Sequence, residues 1–388
     1  MRIAHVTDVY LPRLGGIELQ VRDLALRQRA RGHETTVITT TAAGPGSPVG
    51  TAHPGGLPVV RLGADRFDLG PGLGPYRTRP GRAVREVLAA LRVDLLHVHV
   101  SAFSPLGWAA ARAAAAAGLP TVVSVHSMWH DVAPLMRRYA RWHAAASWPV
   151  VWAAVSSAAA SAVREVLDGV PVAVLPNGID PAEWLIPAHR PVAAVPTLVS
   201  VMRMVRRKRP RELLRALLAL HAAGPGRFRA VLVGDGPLLL SLRRELAAAG
   251  AGTGIELTGA LDRGAIRTLL AASDVYLAPA PRESFGIAAL EARSAGLPVV
   301  ARAGGGVADF VQHGVEGWLV RSDGELRATV ASLLDDPGRI ASVARHNRAV
   351  APRVHWNGVL DRAGALYETA AQRQGAWSGG ARLLGSAT

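Results

Sequence analysis

Asp274-Val275-Tyr276-Leu277-Ala278-Pro279 leads toward Arg282-Glu283-Ser284-Phe285-Gly286-Ile287-Ala288-Ala289-Leu290-Glu291-Ala292, and Gly296-Leu297-Pro298-Val299-Val300 follows. β-Branched and aromatic residues run through the first segment without alternation, the pattern of a strand buried on both faces of a parallel sheet. The second segment opens on a polar turn and continues as an apolar helix, which Gly296 stops before a Pro-led strand. Strand, turn, helix and strand at this spacing form one βαβ unit. Glu283 therefore leaves the carboxyl end of a strand, while Phe285, Gly286 and Ile287 open the next helix.

That placement has a chemical use. The first amides of a helix lack intrahelical partners and sit at its positive end, so they bind phosphate or sugar oxygens. Gly286 removes a Cβ where a ligand approaches the backbone. Glu291, about one turn inside, can accept hydrogen bonds from vicinal hydroxyls such as those of a ribose, and Glu283 can do the same for a second sugar. The plain structural alternative is a solvated helix whose N-terminus is capped by an acid.

The alternation extends in both directions. Strands at 197–202, 230–234, 255–258, 275–279, 298–302 and 317–320 alternate with helices near 209–222, 238–249, 263–271, 286–295, 307–312 and 323–334. Toward the N-terminus, Arg2 to Thr7 is a strand, Gly15-Gly16-Ile17-Glu18 opens a helix to about Arg31, and Glu34 to Thr40 is a second strand. Strands at 94–100 and 121–125 follow, the latter ending on His126. Such alternation implies α/β domains with parallel sheets covered on both faces. Residues 41–80 read as loops around a short strand. Asn177-Gly178 reads as a turn, and the aperiodic Ile186–Pro196 as an interdomain linker. The expected division is 1–188 and 189–355, with a helix at 356–372 returning to the first domain and a disordered tail at 374–388.

A length of 388 residues suits two domains, and 49% hydrophobic residues make the chain globular. It has no cysteine, which excludes disulfides and thiolate metal sites. The formal charge is +15, and among 44 Lys and Arg residues Lys208 is the only lysine. A compact ammonium at one place, where guanidinium serves elsewhere, marks that position for attention. The positive excess suits an anionic small-molecule ligand and an anionic membrane surface. Nucleic acid is not an expected partner, since no basic helix, zinc pattern or RNP-like strand is present. Ala144–Val163 is twenty residues without a charge, but Pro149 and its serines divide it into a helix end, a strand and a helix capped by Ser156 or Ser157. Nothing at the start resembles a secretory signal. The expectation is a cytoplasmic protein, with a peripheral position at the inner face of the membrane left open.

Glu283-x7-Glu291 with Ser-Phe-Gly inside, then Ala-Gly-Leu-Pro-Val-Val and Gly304-Gly305-Gly306-Val307-Ala308-Asp309, resembles the retaining glycosyltransferases of family 4. These have the GT-B fold, two facing Rossmann-like domains with an interdomain cleft. The resemblance extends more loosely from residue 1 to roughly 370. It implies transfer of a sugar from a nucleoside-diphosphate sugar, with UDP or GDP as the nucleotide, to a hydroxyl on a lipid, glycan or small molecule. It assigns the donor to Gly15, Gly16, Arg203, Lys208, Gly259, Glu283, Ser284, Phe285, Gly286, Ile287 and Glu291. Catalytic roles fall to His126, Glu283, Arg203 and Lys208. The family's Gly-Arg is here Met202-Arg203, with Lys208 five residues on; Arg206, Arg207 and Arg209 are alternative cations. His126 matches the family's histidine at a strand end, whereas a lone histidine on general grounds is more often structural. His99 is placed similarly.

No Asp-x-Asp occurs anywhere in the chain. Arg203, Lys208 and helix amides can stabilise a departing diphosphate in place of a divalent ion, so no metal and no cofactor are expected. Residues 128–149 mix arginines with indoles, and read either as a lipid-docking helix or as a domain helix with core tryptophans and solvated arginines. Three other readings stand beside transfer: a GT-B nucleotide-sugar epimerase, a non-catalytic nucleotide-sugar-binding protein, and an NAD dehydrogenase. The last lacks the spaced glycine fingerprint.

Overall fold

A computed structural model describes residues 1–13, 15–43, 56–62, 80–185, 192–250 and 252–385, with side chains for all of these except 80–82 and 376–385. Much of the 41–80 stretch and part of the proposed linker (186–191) therefore lie outside the described residues. The chain divides into two compact units. One comprises the described residues to Gly178 and from Trp356 onward, and the other runs from Ile179 to His355. The division falls at Gly178, not at 188.

In the first unit seven parallel strands, β1 (Arg2–Thr7), β2 (Glu34–Thr39), β3 (Val59–Arg61), β4 (Leu95–Val100), β5 (Thr121–Val125), β6 (Val151–Ala154) and β7 (Val172–Val174), lie in the order β3-β2-β1-β4-β5-β6-β7. They alternate with α1 (Gly16–Ala30), α2 (Pro80–Ala90), α3 (Pro105–Ala117), α4 (Ala133–Trp142) and α5 (Ser157–Val166). The strand order reverses between β1 and β4. Right-handed crossovers then place α1 on one face and α2 to α5 on the other, so that among the described residues the first face has room for a further helix. The last helix, α13 (Trp356–Gly385), fills that room by packing on β5, β6 and α1.

This helix corrects the expectation of a disordered tail at 374–388: its backbone stays helical to Gly385, while 386–388 lie outside the described residues. The physical reason is local. Arg373 donates to the Val150 carbonyl at 2.6 Å and Gln374 to the Pro149 carbonyl at 3.1 Å, and from a packed turn the helix propagates at one hydrogen bond per residue.

The uncharged segment at 144–163 resolves into β6 and α5, with the Ser156 hydroxyl accepting from the Ala159 amide at 3.1 Å. Among the described residues no helix is long and apolar enough to cross a membrane.

In the second unit α6 (Pro181–Trp184) precedes six parallel strands. These are β8 (Thr197–Val201), β9 (Arg229–Val233), β10 (Ile255–Gly259), β11 (Val275–Ala278), β12 (Val299–Arg302) and β13 (Gly317–Val320), in the order β10-β9-β8-β11-β12-β13. Between and after them run α7 (Pro210–Ala223), α8 (Leu239–Ala248), α9 (Arg263–Ala271), α10 (Ile287–Ser294), α11 (Asp323–Asp335) and α12 (Pro337–Ala349). Leu213, Leu217, Leu232, Leu277, Val300 and Trp318 belong to a core on this sheet. The helix expected near 307–312 is a single 3-10 turn at Gly306–Asp309, because Val307 and Phe310 turn inward at once to be buried. The order reverses between β8 and β11. In such open sheets, ligands bind outside the carboxyl ends of the strands at that point.

Gly178 has a different role from the turn read in the sequence. Its φ is not left-handed; instead a Cβ there would lie 2.3 Å from the indole of Trp356. Gln20 fixes the approach, accepting from the Gly178 amide at 2.8 Å and donating to its carbonyl at 3.0 Å. Gly178→Ala should therefore lower stability by about 1–3 kcal/mol through overpacking, measured as an earlier urea midpoint. An unchanged midpoint would mean that Trp356 gives way freely.

Candidate functional site

In the second unit the polar residues gather where the sheet topology places them. Arg203 emerges just beyond β8, exposed, and the chain turns through Arg206–Lys208 into α7. Gly234-Asp235-Gly236, at the end of β9, makes room for that exit. A Cβ on Gly234 would lie 1.8 Å from the Met202 carbonyl oxygen, and one on Gly236 2.7 Å from that of Met204. Met202 stands where the family carries glycine, and the close approach there is permitted from the neighbouring strand instead. This Gly-Asp-Gly went unread in the sequence, although two glycines closing a buried strand were its signal.

Glu283 follows β11. Its carboxylate pairs directly with the ammonium of Lys208, seventy-five residues earlier, and both side chains are largely shielded from solvent. The glycine triplet 304–306 holds the Glu283 main chain: the Gly306 amide donates to its carbonyl at 2.8 Å, and a Cβ on Gly305 would lie 2.9 Å from that same oxygen. The lone lysine and the first acid thus share one place.

Gly286 caps α10 in the left-handed region at φ 96°, where a Cβ would lie 2.6 Å from Val307. The first hydrogen bond of this helix runs from the Leu290 amide to the Gly286 carbonyl at 3.0 Å. The amides of Ile287 and its successors precede that bond and stand at the positive end. Phe285 is 1% exposed and its ring packs 5.4 Å from that of Phe310. Its side chain therefore belongs to the core, and only its backbone can face a ligand. Ser284 lies beside it, half-buried.

Glu291 is half-buried one turn into α10. Burial pushes its carboxyl up to about 7, offset partly by Arg263 and reinforced by Glu183. Arg263 is itself tied to Glu183 at 2.7 Å and lies over the Trp184 ring. Gly259 ends β10 at φ 84°, with its carbonyl already accepting from the Gly234 amide at 2.8 Å and from the Thr258 hydroxyl at 2.9 Å.

In the first unit Gly15 caps α1 and Gly16 begins it. A Cβ on Gly15 would lie 2.4 Å from Oε2 of Glu18, whose side chain is folded back over the helix start and buried. An anion arriving there meets a resident carboxylate, the N3 acid of a capping arrangement. Asp8, after β1, caps α3, accepting from the amides of Leu106 at 2.9 Å and Gly107 at 3.0 Å.

His126, just past β5, lines a small cavity with Gln20, His99, Ser124, Asn177 and Trp356. Its Nε2 lies 3.0 Å from Nδ1 of His99, and burial lowers its pKa to about 4. His5, His97 and His99 stand behind it, all buried. The sequence signal for this group was alternation: His5, His97, His99, Ser124 and His126 fall on one face of otherwise apolar strands.

In the arginine–tryptophan segment Trp129 is buried, and with Trp148 and the buried Trp152 of β6 it packs around Trp108 of α3. Arg137 and Arg141 pair with Glu165 at 3.1 Å and Asp168 at 3.0 Å. Yet Leu135, Tyr139 and Trp142, the last 78% exposed, form with Arg138 an outward stripe on α4.

Residues 14–183 match the family described as Glycosyltransferase Family 4, and residues 186–350 match Glycosyl transferases group 1. The GDP-mannose-dependent alpha-(1-6)-phosphatidylinositol dimannoside mannosyltransferase of Mycobacterium tuberculosis is 32% identical over 327 residues, which cover 77% of this chain and 79% of that one. A 2-deoxystreptamine glucosyltransferase from Streptomyces kanamyceticus is 31% identical over 279 residues, 66% of this chain and 72% of its own. Among solved structures, Anabaena HepE in complex with UDP and glucose superposes with a TM-score of 0.74 at 21% identity, covering 95% of this chain and 100% of that one. With a relative at this identity across most of both chains, and with two parallel-sheet Rossmann-like domains of the GT-B kind, the protein belongs to the group 1 glycosyltransferases of the family 4 type, enzymes that use nucleotide sugars.

Proposed function

We propose that this enzyme transfers a sugar from a UDP- or GDP-sugar to a hydroxyl acceptor with retention of anomeric configuration and without a metal ion. The observation that carries the proposal is the Lys208–Glu283 contact beside the N-terminus of α10. A nucleoside diphosphate leaves with developing negative charge. Lys208, held by its pair with Glu283, and the first amides of α10, which precede the first bond of that helix, are preorganised donors for that charge, and the exposed Arg203 adds a further cation. Glu283, held by Lys208 and the glycine triplet, orients the hydroxyls of the donor sugar and forms no covalent bond. The acceptor hydroxyl then attacks from the side the diphosphate leaves, and its proton passes to the β-phosphate. His126 is assigned to the donor sugar and Glu291 to the ribose. Ser284, the backbone of Phe285 and the Gly15-Gly16 start of α1 remain donor contacts of this reading, the last requiring Glu18 to move aside. Gly259 would reach the base through its amide.

The acceptor is assigned to a membrane surface. The exposed Leu135-Tyr139-Trp142 stripe and the net charge of +15 support this, since a cationic helix with aromatic side chains outward binds at an anionic interface. Relatives whose names specify phosphatidylinositol-based acceptors agree with it.

Proton NMR of the product should show the donor's anomeric configuration, and EDTA should leave the rate unchanged. Lys208→Met should lower kcat on the order of 10²-fold, the usual effect of removing one charge-stabilising donor. An inverted anomer, or a rate abolished by EDTA and restored by manganese, would overturn the mechanism.

The raised carboxyl of Glu291 gives a pH-dependent consequence. An acid whose folded pKa exceeds its unfolded value contributes full stability below the unfolded pKa of 4.5 and loses it as pH rises through about 7. Glu291→Gln should therefore melt higher than wild type at pH 8 and no higher at pH 4. Adding the donor at pH 8 should raise the melting temperature of wild type more than that of the variant, because ribose hydroxyls donate to the carboxylate. Equal shifts would detach Glu291 from the ribose.

Vesicles containing anionic lipid should sediment the wild type but retain less Trp142→Ala. Neutral vesicles should retain little of either; equal retention of both proteins on anionic vesicles would exclude α4 as the contact.

A further inference from the structure

Seven buried or half-buried side chains of the first unit form a single file of hydrogen bonds. Ser124 Oγ lies 2.8 Å from His97 Nε2, and His97 Nδ1 lies 2.9 Å from the hydroxyl of Tyr367. That hydroxyl is 2.6 Å from Nε2 of Gln28, whose Oε1 is 2.7 Å from His5 Nε2. His5 Nδ1 then meets His99 Nε2 at 3.0 Å, and His99 Nδ1 meets His126 Nε2 at 3.0 Å. β1, β4 and β5 contribute the histidines and the serine. Parallel pairing sets His5 beside His97 and His99 beside Ser124, so all face the same side. α1 and α13 close that side with Gln28 and Tyr367. Ser124 and His126, the two ends of the file, line the same small cavity.

Burial holds His5 and His126 down to about 4, and His97 and His99 well below the ordinary imidazole value. At neutral pH all four rings are uncharged, and a neutral imidazole donates through one nitrogen and accepts through the other. One fixed orientation therefore propagates along the file. The Gln28 carbonyl oxygen faces His5 and can only accept, so His5 carries its proton on Nε2 and accepts at Nδ1. His99 must then donate from Nε2 and accept at Nδ1, and His126 must donate from Nε2. On the other branch the Gln28 amide donates to Tyr367, Tyr367 donates to His97 Nδ1, and His97 donates from Nε2 to Ser124. No member is left without a complementary neighbour.

We propose that Gln28, acting through His5 and His99, fixes the tautomer of His126, so that His126 meets its substrate with an unprotonated Nδ1. Such a nitrogen accepts a hydrogen bond from a sugar hydroxyl and cannot donate one to a phosphate oxygen. The assignment of that hydroxyl to the donor sugar rests on the proposed function; the tautomer itself does not. Gln28, His5 and His99 are positioning residues. The arrangement also accounts for His5, His97 and His99 without a metal. Their nearest nitrogens lie within 4.8 Å of one another, but each ring has both nitrogens engaged in the file, and coordination would break it.

The test is long-range proton–nitrogen correlation NMR on the full chain labelled with 15N-histidine, with His126 identified by the resonances lost in His126→Ala. Wild type should show His126 protonated on Nε2 alone. Gln28→Glu, which keeps an acceptor facing His5, should preserve that pattern, and Gln28→Met should yield a mixture of tautomers. In turnover, Gln28→Met should reduce kcat/KM about tenfold, and adding His126→Ala should cost less than it does in wild type, the non-additivity expected of residues acting through one another. A wild-type His126 protonated on Nδ1 would overturn the proposal whatever the variants do, as would stoichiometric zinc in the purified protein. If the tautomer is fixed but His126→Ala turns over normally, the substrate contact falls and the tautomer assignment stands.

Discussion

The main chain of Glu283 is the fixed point of the second unit. It is gripped from behind by a loop that has no side chains to interfere. Gly306 donates to its carbonyl, and the absence of a Cβ on Gly305 lets the two backbones come together. From this grip two things follow at once. Gly286 can turn through the left-handed region and aim the start of α10 outward, and the Glu283 carboxylate is delivered to Lys208. An ion pair this sheltered contributes little to stability after desolvation. Its value is geometric: it keeps a carboxylate and an ammonium in register beside the first amides of α10, which have no partner within the helix.

The first unit solves a different problem. Among the described residues, one face of its sheet carries α1, and α13 returns to pack there against β5, β6 and α1. A face closed by two helices could have been wholly apolar. Instead four histidines lie there, each desolvated and each hydrogen-bonded. A buried polar group left without a partner is costly, and in this file every ring nitrogen but the outermost one of His126 has a neighbour within 3.0 Å. The Gln28 amide, with its oxygen toward His5 and its nitrogen toward Tyr367, gives the file a direction, and that direction makes Gln28 relevant to a ring three hydrogen bonds away.

The fold was legible in the sequence because parallel strands buried on both faces read as continuous apolar runs, and glycines and prolines punctuate them. Glu283, Glu291 and Lys208 were legible for a related reason: strand ends and helix starts are where such a fold exposes polar groups. What escaped reading involved contact across sequence distance. Gly178 read as a turn residue, although Trp356 is what requires it. Gly15 reads as an open helix start, and nothing local reveals that the Glu18 carboxylate folds back over it. Phe285 sits inside the motif and yet packs in the core. The tail from 374 reads as disordered, because nothing local reveals that Arg373 and Gln374 anchor it to Val150 and Pro149.

The two acids of the motif face opposite electrostatic conditions, and this bears on recognition. Glu283 has a cation of its own. Glu291 has Arg263 in its field, but that guanidinium is committed to Glu183, and burial keeps the Glu291 carboxyl near neutrality. Two adjacent hydroxyls that donate to Glu291 would supply the stabilisation its ionised form lacks. A ligand with one hydroxyl removed would leave part of that charge unsolvated in a site with little water, a larger loss than one hydrogen bond is worth at a surface. On the proposed reading, discrimination between a ribonucleotide and a deoxyribonucleotide thus arises from the cation that Glu291 does not have to itself.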